Sequence, residues 1–230
     1  MGAVPGRSGH AVGLTRPWAV ARLRAAAASL HGRDVDWSAR SVTWCEVTAP
    51  AVVVGSTQGD EAIAPGARME VARRRSGGGA VLVEPGRVVW ADVVVPAADP
   101  LWEPDVGRAT WWLGEAWAAA LGDLGVAGAE VHRGGLVRSA WSTAVCFAGL
   151  GPGEVTADGR KVVGIAQRRT RDGALFQCAV ALAWDPAPLL AALALSPGDR
   201  EVAAADLAGA VAPVTAPAAA VEAALLAHLP

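Results

Sequence analysis

Arg73-Arg74-Arg75-Ser76-Gly77-Gly78-Gly79-Ala80-Val81 joins a basic strand end to three glycines and then to an apolar strand. Three consecutive glycines let backbone N–H groups face one point without interference from Cβ atoms, and the neighbouring arginines add positive charge, so the stretch reads as an anion cradle. The flanking pattern is strand, turn, strand: Met69 to Arg75, the glycines, then Ala80 to Val83. A glycine-rich loop inside a sheet is neither a Rossmann fingerprint nor a Walker loop, because both of those need a helix to follow.

A second stretch answers the first from far downstream. Gly159-Arg160-Lys161-Val162-Val163-Gly164 holds the only lysine of the chain, against 19 arginines in a Lys+Arg total of 20. Guanidinium is a fixed fork of donors, whereas ammonium is a compact point charge that can reach one carbonyl or phosphate oxygen. One position has kept an amine where arginine is otherwise used throughout, and a charge left by chance on a hairpin tip is the plain alternative.

The bounds are those of a globular chain: 230 residues, 53% hydrophobic, 18% charged, mean hydropathy +0.32. That length fits one domain with a substantial core. A net charge of −2 and a pI near 6.1 argue against a broad nucleic-acid footprint. No window approaches the length of a membrane span, and Arg22 and Arg24 interrupt the N-terminal apolar segment, so neither a membrane helix nor a signal peptide is expected. Cys45, Cys146 and Cys178 are odd in number and lack a CxxC, which fits a reduced cytoplasm and suggests no metal site.

Taken in order, residues 1–14 are glycine-rich and read as a frayed N-terminus, with 15–230 as a single unit and no separate accessory domain. Thr15-Arg16-Pro17 reads as the start of an alanine-rich helix that stops near Gly32. Ser41 to Val47 and Ala51 to Val54 read as strands, the second ending at Gly55-Ser56-Thr57-Gln58, which either lines a pocket mouth or satisfies its own turn. Val88 to Val95 is a long β-branched strand, and Gly107 to Leu124 an amphipathic helix with Leu113, Trp117, Leu121 and Leu124 on one face. Ala140 to Phe147 reads as a strand ending near Cys146. Glu154 to Thr156 and Lys161 to Arg168 form a hairpin around Ala157-Asp158-Gly159-Arg160. Ala174 to Ala183 is a further strand, and the proline-punctuated remainder is a helical tail to which no chemistry is assigned. The fold class expected is α+β, with mixed, mostly antiparallel sheets flanked by helices.

The two motifs, in this order, resemble the paired signature of the lipoate-protein ligase catalytic domain, a fold shared with biotin-protein ligases and octanoyltransferases. The likeness spans roughly residues 41 to 183 and includes the Gly55-Ser56-Thr57-Gln58 turn. The resemblance implies an acyl tunnel between two sheets and an acyl adenylate bound by Arg74, Ser76, Gly77, Gly78, Gly79 and Gly164, with Arg74 near the anionic group. Lys161 would hold the acyl carbonyl or phosphate oxygen. ATP and Mg²⁺ are implied for a ligase, neither for a transferase. The partner implied is the lipoyl carrier domain of a 2-oxoacid dehydrogenase subunit or a glycine-cleavage H-type protein.

The branch stays open at this level. Cys146, upstream of Glu154 and Lys161, resembles the acyl nucleophile of ligase-like octanoyltransferases, and a neighbouring ammonium favours thiolate. A small residue at a strand end is the alternative. Ser76-Gly77-Gly78-Gly79 looks more like the ATP-dependent ligases. The chain departs from the family pattern at Val83 and Glu84, at Ile165 after Gly164, and at Cys178-Ala179, where family members usually carry other residues. Three readings therefore stand: an adenylate-forming ligase, a Cys146 thioester transferase, and a non-catalytic acyl-binding paralogue.

Overall fold

The computed structural model describes residues 17–230. Among the described residues, ten strands form two sheets. Sheet one has seven strands in the order β1 (Ala19–Ala25), β2 (Ser41–Val47), β6 (Val88–Pro96), β10 (Gly173–Ala181), β9 (Arg160–Arg169), β8 (Val155–Ala157) and β7 (Ala129–Val131). Sheet two is β4 (Glu70–Arg73), β3 (Ala51–Val54) and β5 (Val81–Val83). Only β1·β2 and β3·β4 run parallel, so the mixed, mainly antiparallel α+β class expected from the sequence is the observed one.

The layers follow from alternation. Along β6, Val89, Ala91, Val93 and Val95 face α2 (Trp111–Asp123) and α5 (Ala218–His228), where Leu113, Trp117 and Leu121 are sealed from solvent. Trp90 and Asp92 take the opposite face, towards sheet two, because successive side chains of a strand point to opposite sides. In β3 all four residues are buried: Ala51 and Val53 pack towards Trp90, while Val52 and Val54 pack against α3 (Ala187–Ala192) and α4 (Pro197–Leu207). A strand covered on both faces has no polar side to show, which explains its uninterrupted apolar run.

Two expectations are corrected. The segment after Pro17 is not one helix to Gly32; it is strand β1 followed by the short α1 (Ala27–Gly32). Alanine's helix propensity is worth only tenths of a kcal/mol per residue and yields to tertiary pairing. Here β1 pairs with β2 from Ala19↔Ser41 to Ala25↔Val47, and Arg22 bridges Glu46 and Glu222. The supposed helix start at Thr15-Arg16, and the glycine-rich residues before it, lie outside the described residues. Nor is Ala140 to Phe147 a strand. It is a turn centred on Trp141, whose carbonyl accepts from Ala144 and Val145, and a single 3-10 turn at Cys146–Ala148.

The helices of the tail pack on sheet one and on sheet two, and one connecting piece of the tail reaches the strand that carries the lysine. Lys161 N–H donates to the Ala210 carbonyl and Ala212 N–H donates back to the Lys161 carbonyl, each at 2.9 Å.

Candidate functional site: the glycine loop and the buried lysine

Strand β4 lies beside β3, and β5 on its other side, so the chain from Arg74 to Ala80 must cross the end of β3. That crossing is why glycine is needed on both parts. A Cβ on Gly55 would sit 1.9 Å from the Gly78 carbonyl oxygen, and Gly78 itself has φ +97°. Gly79 lets another segment approach: a Cβ there would lie 2.7 Å from Val145 backbone atoms. Into that space fits a parallel bridge, in which Ala80 N–H donates to the Ala144 carbonyl and Cys146 N–H to the Ala80 carbonyl. The glycine loop therefore sets the position of Cys146.

Arg74 holds the loop from beneath. Its buried guanidinium donates to the carbonyls of Gly77 and Gly79 at 2.7 and 2.8 Å, and to Val53 at 3.3 Å. Burial lowers its proton affinity, opposed by the nearby Cys146 and Glu154. With two loop carbonyls tied inwards, the N–H groups of Gly77, Gly78 and Gly79 donate to no protein atom among the described residues. Ser76 Oγ is buried and likewise has no hydrogen-bond partner among them.

Lys161 stands at the start of β9, just after a tight turn in which Asp158 and Gly159 both have positive φ, 50° and 72°. The ammonium is 4% exposed and carries three donors, and three partners surround it: Glu154 Oε2 at 2.7 Å, and the carbonyls of Gly149 and Cys146 at 3.1 and 3.3 Å. The Phe147 ring lies 5.0 Å away. Glu154 is fixed in turn by backbone donors, Gly151 N–H at 2.6 Å and Ile165 N–H at 3.1 Å. A Cβ on Gly164 would meet Lys161 Cε at 3.3 Å and the Phe147 ring at 3.4 Å, so the glycine leaves room for both.

Two cavities meet here. One lies between the sheets, holds about 480 Å³ of empty space with part of it open to solvent, and is walled by Val53, Val81, Val83, Trp90, Ile165 and Ala179 among others. The second is a polar cleft lined by Gln58, Gly77, Gly78, Gly79, Glu154 and Lys161. Cys146, Ile165 and Ala166 border both.

All the residues singled out in the sequence converge on this junction: Lys161 and the three glycines on the cleft, Arg74 and Gly164 on the intersheet cavity, Cys146 on both, and Ser76 sealed beneath the loop. Cys45 and Cys178 are buried thiols whose proton affinity burial raises, Cys178 up to about 12, so both stay protonated. Sequence reasoning missed Glu154 as a partner of Lys161; the signal available was an acid opening the hairpin whose other arm carries the lysine. It also missed a polar group on the far side of the intersheet cavity. There Asp92 accepts from Trp90 Nε1 at 2.7 Å and Gln177 Nε2 at 3.2 Å, and pairs with Arg33 at 2.6 Å. His31 stacks on Trp90 at 4.4 Å, and burial together with Arg74 and Arg33 pushes its imidazole down to about 4, so it is neutral at neutral pH.

Known structures share this fold. A bipartite lipoate protein ligase of Thermoplasma acidophilum, from a study of its lipoylation system with its E2 lipoyl domain, superposes with a TM-score of 0.71 at 18% identity over 92% of this chain and 81% of its own. Lipoate-protein ligase A bound with ATP gives 0.68 at 18% identity, covering 93% of this chain and 84% of its own. Ta0514 of T. acidophilum with bound lipoic acid gives 0.62 at 19%, covering 87% and 75%. At these identities the likeness is one of fold. No curated protein sequence matches the chain. The family model of the lipoyl protein ligase A/B catalytic domain matches residues 28–218, and this chain belongs to that family.

Proposed function

We propose that this chain is a lipoate-protein ligase-like enzyme that joins a lipoyl or other medium-chain acyl group to a lysine of a carrier domain through an acyl adenylate. The observation that carries the reading is the placement of the only lysine, buried where an apolar cavity between sheets meets a cleft lined by unspent glycine N–H groups. In this reading residues 15–230 act as one catalytic unit. The acyl chain occupies the intersheet cavity and its carboxyl end lies at the Cys146 junction.

The chemistry needs a fixed positive charge there. Attack of the acceptor amine on the acyl adenylate forms the amide C–N bond, places negative charge on the carbonyl oxygen, and then expels AMP. Lys161 would stabilise that oxygen, a contribution on the order of that of one oxyanion-hole donor. To do so the ammonium exchanges one of its present acceptors, and the longest bond, to the Cys146 carbonyl at 3.3 Å, is the one displaced. Gly77, Gly78 and Gly79 would donate to the adenylate phosphate, with Arg74 keeping their carbonyls turned away. Among the described residues no group of three or more acidic, histidine or cysteine side chains forms a metal cage, so Mg²⁺ would arrive on the triphosphate of ATP. The protein partner in this reading is a lipoyl carrier domain, of a 2-oxoacid dehydrogenase subunit or an H-type protein of glycine cleavage.

Acid-dependent exchange of labelled pyrophosphate into ATP tests the reading directly, because only adenylation exchanges the label. Absence of exchange with lipoate, octanoate and MgATP sinks it. A second reading is supported by Cys146, which borders both cavities. Its thiolate would attack the thioester carbonyl of an octanoyl carrier protein, release the carrier thiol, and hold the octanoyl group until a lysine amine takes it. An octanoyl mass on the parent protein that is missing from Cys146→Ser identifies that route. Tight acyl binding with neither signal identifies a non-catalytic paralogue.

A further inference from the structure

Residues 133–140 are all exposed, the longest such run among the described residues. At its centre stand Leu136 and Val137, 59% and 52% exposed. The loop that carries them is braced at several points. His132 Nε2 donates to the Gly135 carbonyl at 2.7 Å, since a carbonyl only accepts. Val137 and Leu150 exchange both backbone bonds, at 2.8 and 3.0 Å. Ser142 Oγ accepts from Ser139 N–H at 3.2 Å and donates to the Ser139 carbonyl at 3.0 Å, and Trp141 Nε1 ties the far end to Asp206 of α4 at 2.8 Å. The two apolar side chains are thus held out in a fixed place, and a partner that covers them has little loop entropy to remove.

That place is the rim of the polar cleft. Leu136 and Arg138 line the cleft together with Lys161 and the three glycines. Leu150, which braces Val137, stands between two residues of the buried ion pair's setting. On one side is Gly149, whose carbonyl accepts from Lys161 Nζ at 3.1 Å, and on the other Gly151, whose N–H donates to Glu154 at 2.6 Å. The exposed ridge and the catalytic ammonium therefore rest on one stretch of chain. Of the charged groups on the cleft, Lys161 and Glu154 neutralise each other, while Arg138 has no ion pair or hydrogen bond among the described residues. The rim presents an apolar pair beside an unspent cation.

We propose that Leu136, Val137 and Arg138 are the landing surface for the acceptor carrier domain, which meets them with an apolar side chain and a carboxylate close to its acceptor lysine. With the acyl chain in the intersheet cavity, the amine reaches the junction through the cleft, so the body of the carrier comes to rest on the cleft rim. A small free amine has no use for such a surface. Half-exposed leucine and valine gain further burial only under a folded partner, and Arg138 steers one of opposite charge. The proposal names the docking surface for the lysine-acylation step of the proposed function. It rests on that step, which the adenylate and Cys146 thioester readings share.

Two measurements on the full chain keep the proposal and the adenylate reading apart. One is the Kd for an unacylated lipoyl carrier domain of a 2-oxoacid dehydrogenase subunit, by biolayer interferometry; the other is pyrophosphate exchange with octanoate or lipoate, which needs no carrier. The double variant Leu136→Ser, Val137→Ser and the single variant Arg138→Glu should each bind the carrier about tenfold or more weakly, with exchange within about twofold of the parent. The salt dependence of carrier binding seen in the parent should disappear in Arg138→Glu. All three positions are exposed, and an unchanged Tm certifies the fold of each variant. Equal carrier binding by parent and variants overturns the proposal, as does a parent that exchanges label but binds no carrier; the adenylate reading survives both. A raised KM for ATP in Arg138→Glu with carrier binding intact assigns that arginine to the nucleotide and overturns its docking role. Self-association of the parent that the serine variant loses gives the ridge to a second copy of this chain, against the proposal. Carrier binding that the variants lose, in a protein without exchange, upholds the docking surface and removes the adenylate. If the parent neither binds carrier nor exchanges label, the proposal and the adenylate reading fall together.

Discussion

Two ion pairs are buried on opposite sides of the intersheet cavity, and they are anchored to different things. Glu154, beside Lys161, takes its other hydrogen bonds from the main chain, at Gly151 and Ile165. Asp92, beside Arg33, takes its own from side chains, Trp90 and Gln177. Lys161 is 4% exposed, whereas the Arg33 side chain is 20% exposed and has a way out to water. The first pair is a charge welded to the backbone, as the role proposed for Lys161 requires. The second is a charge held by side chains, beside a cation with access to water. Burial pushes the proton affinity of Asp92 up, against the pull of Arg33.

Matched isosteric changes break the comparison open. Glu154→Gln should be the costliest for stability. Each Glu154 oxygen faces only donors, so an amide nitrogen meets one whichever way it turns, and Lys161 is left as an uncompensated buried cation, at about 3–5 kcal/mol. A urea melt that shifts by under 1 kcal/mol contradicts the welded picture. Lys161→Arg keeps the charge but replaces a point donor with a planar fork, and turnover of acyl acceptor should fall by about 100- to 1000-fold with the fold intact. Full turnover in a carrier-acylation assay removes Lys161 from the chemistry.

Asp92→Asn should cost less, about 1–2 kcal/mol, because Arg33 can turn to solvent once its carboxylate is gone. Equal losses from the two isosteres in the same melt erase the distinction drawn here.

The last prediction is a pH profile. His31 titrates near 4 in the fold and near its ordinary 6.5 when unfolded, so the unfolded chain binds the extra proton first. Above pH 6.5 the residue has no effect on stability. As pH falls from 6.5 to about 4 it destabilises the fold increasingly, up to about 3 kcal/mol, and then levels off. His31→Phe should flatten that acid limb and leave stability above pH 6.5 within about 0.5–1 kcal/mol of the parent. An acid limb of unchanged steepness assigns it to other groups.

Much of the frame was legible because local rules and tertiary packing agree there. The all-apolar Ala51–Val54 reads as a doubly covered strand, and Asp158-Gly159 announces its hairpin. The glycine loop and Lys161 stood out by residue type alone. Where the two levels disagree the sequence misleads. Ala19–Ala25 has the composition of a helix but is held as an edge strand by β2 and by the bridge from Arg22 to Glu46 and Glu222. Cys146 follows a single bridge between Val145 and Ala80, far apart in sequence, and its own N–H donates to the Ala80 carbonyl, so its neighbourhood has an apolar strand-like sequence without a strand. Glu154 reads as the opening residue of its hairpin arm, and its pairing with Lys161 depends on the register between β8 and β9. His31, Asp92 and Gln177 lie on three separate elements, and no spacing rule joins them.

The exchange of hydrogen bonds between Lys161 and the segment Ala210 to Ala212 bears on the order in which the molecule is made. A nascent chain displays its glycine loop early and its lysine later, yet the strand end that carries the lysine is completed by residues that leave the ribosome later still. The sheet can pair beforehand, with the last rung open. The lysine is thus locked into place only in a chain that has been translated past Ala212 and has folded its later helices back, so a half-made protein carries the parts of the site without its geometry.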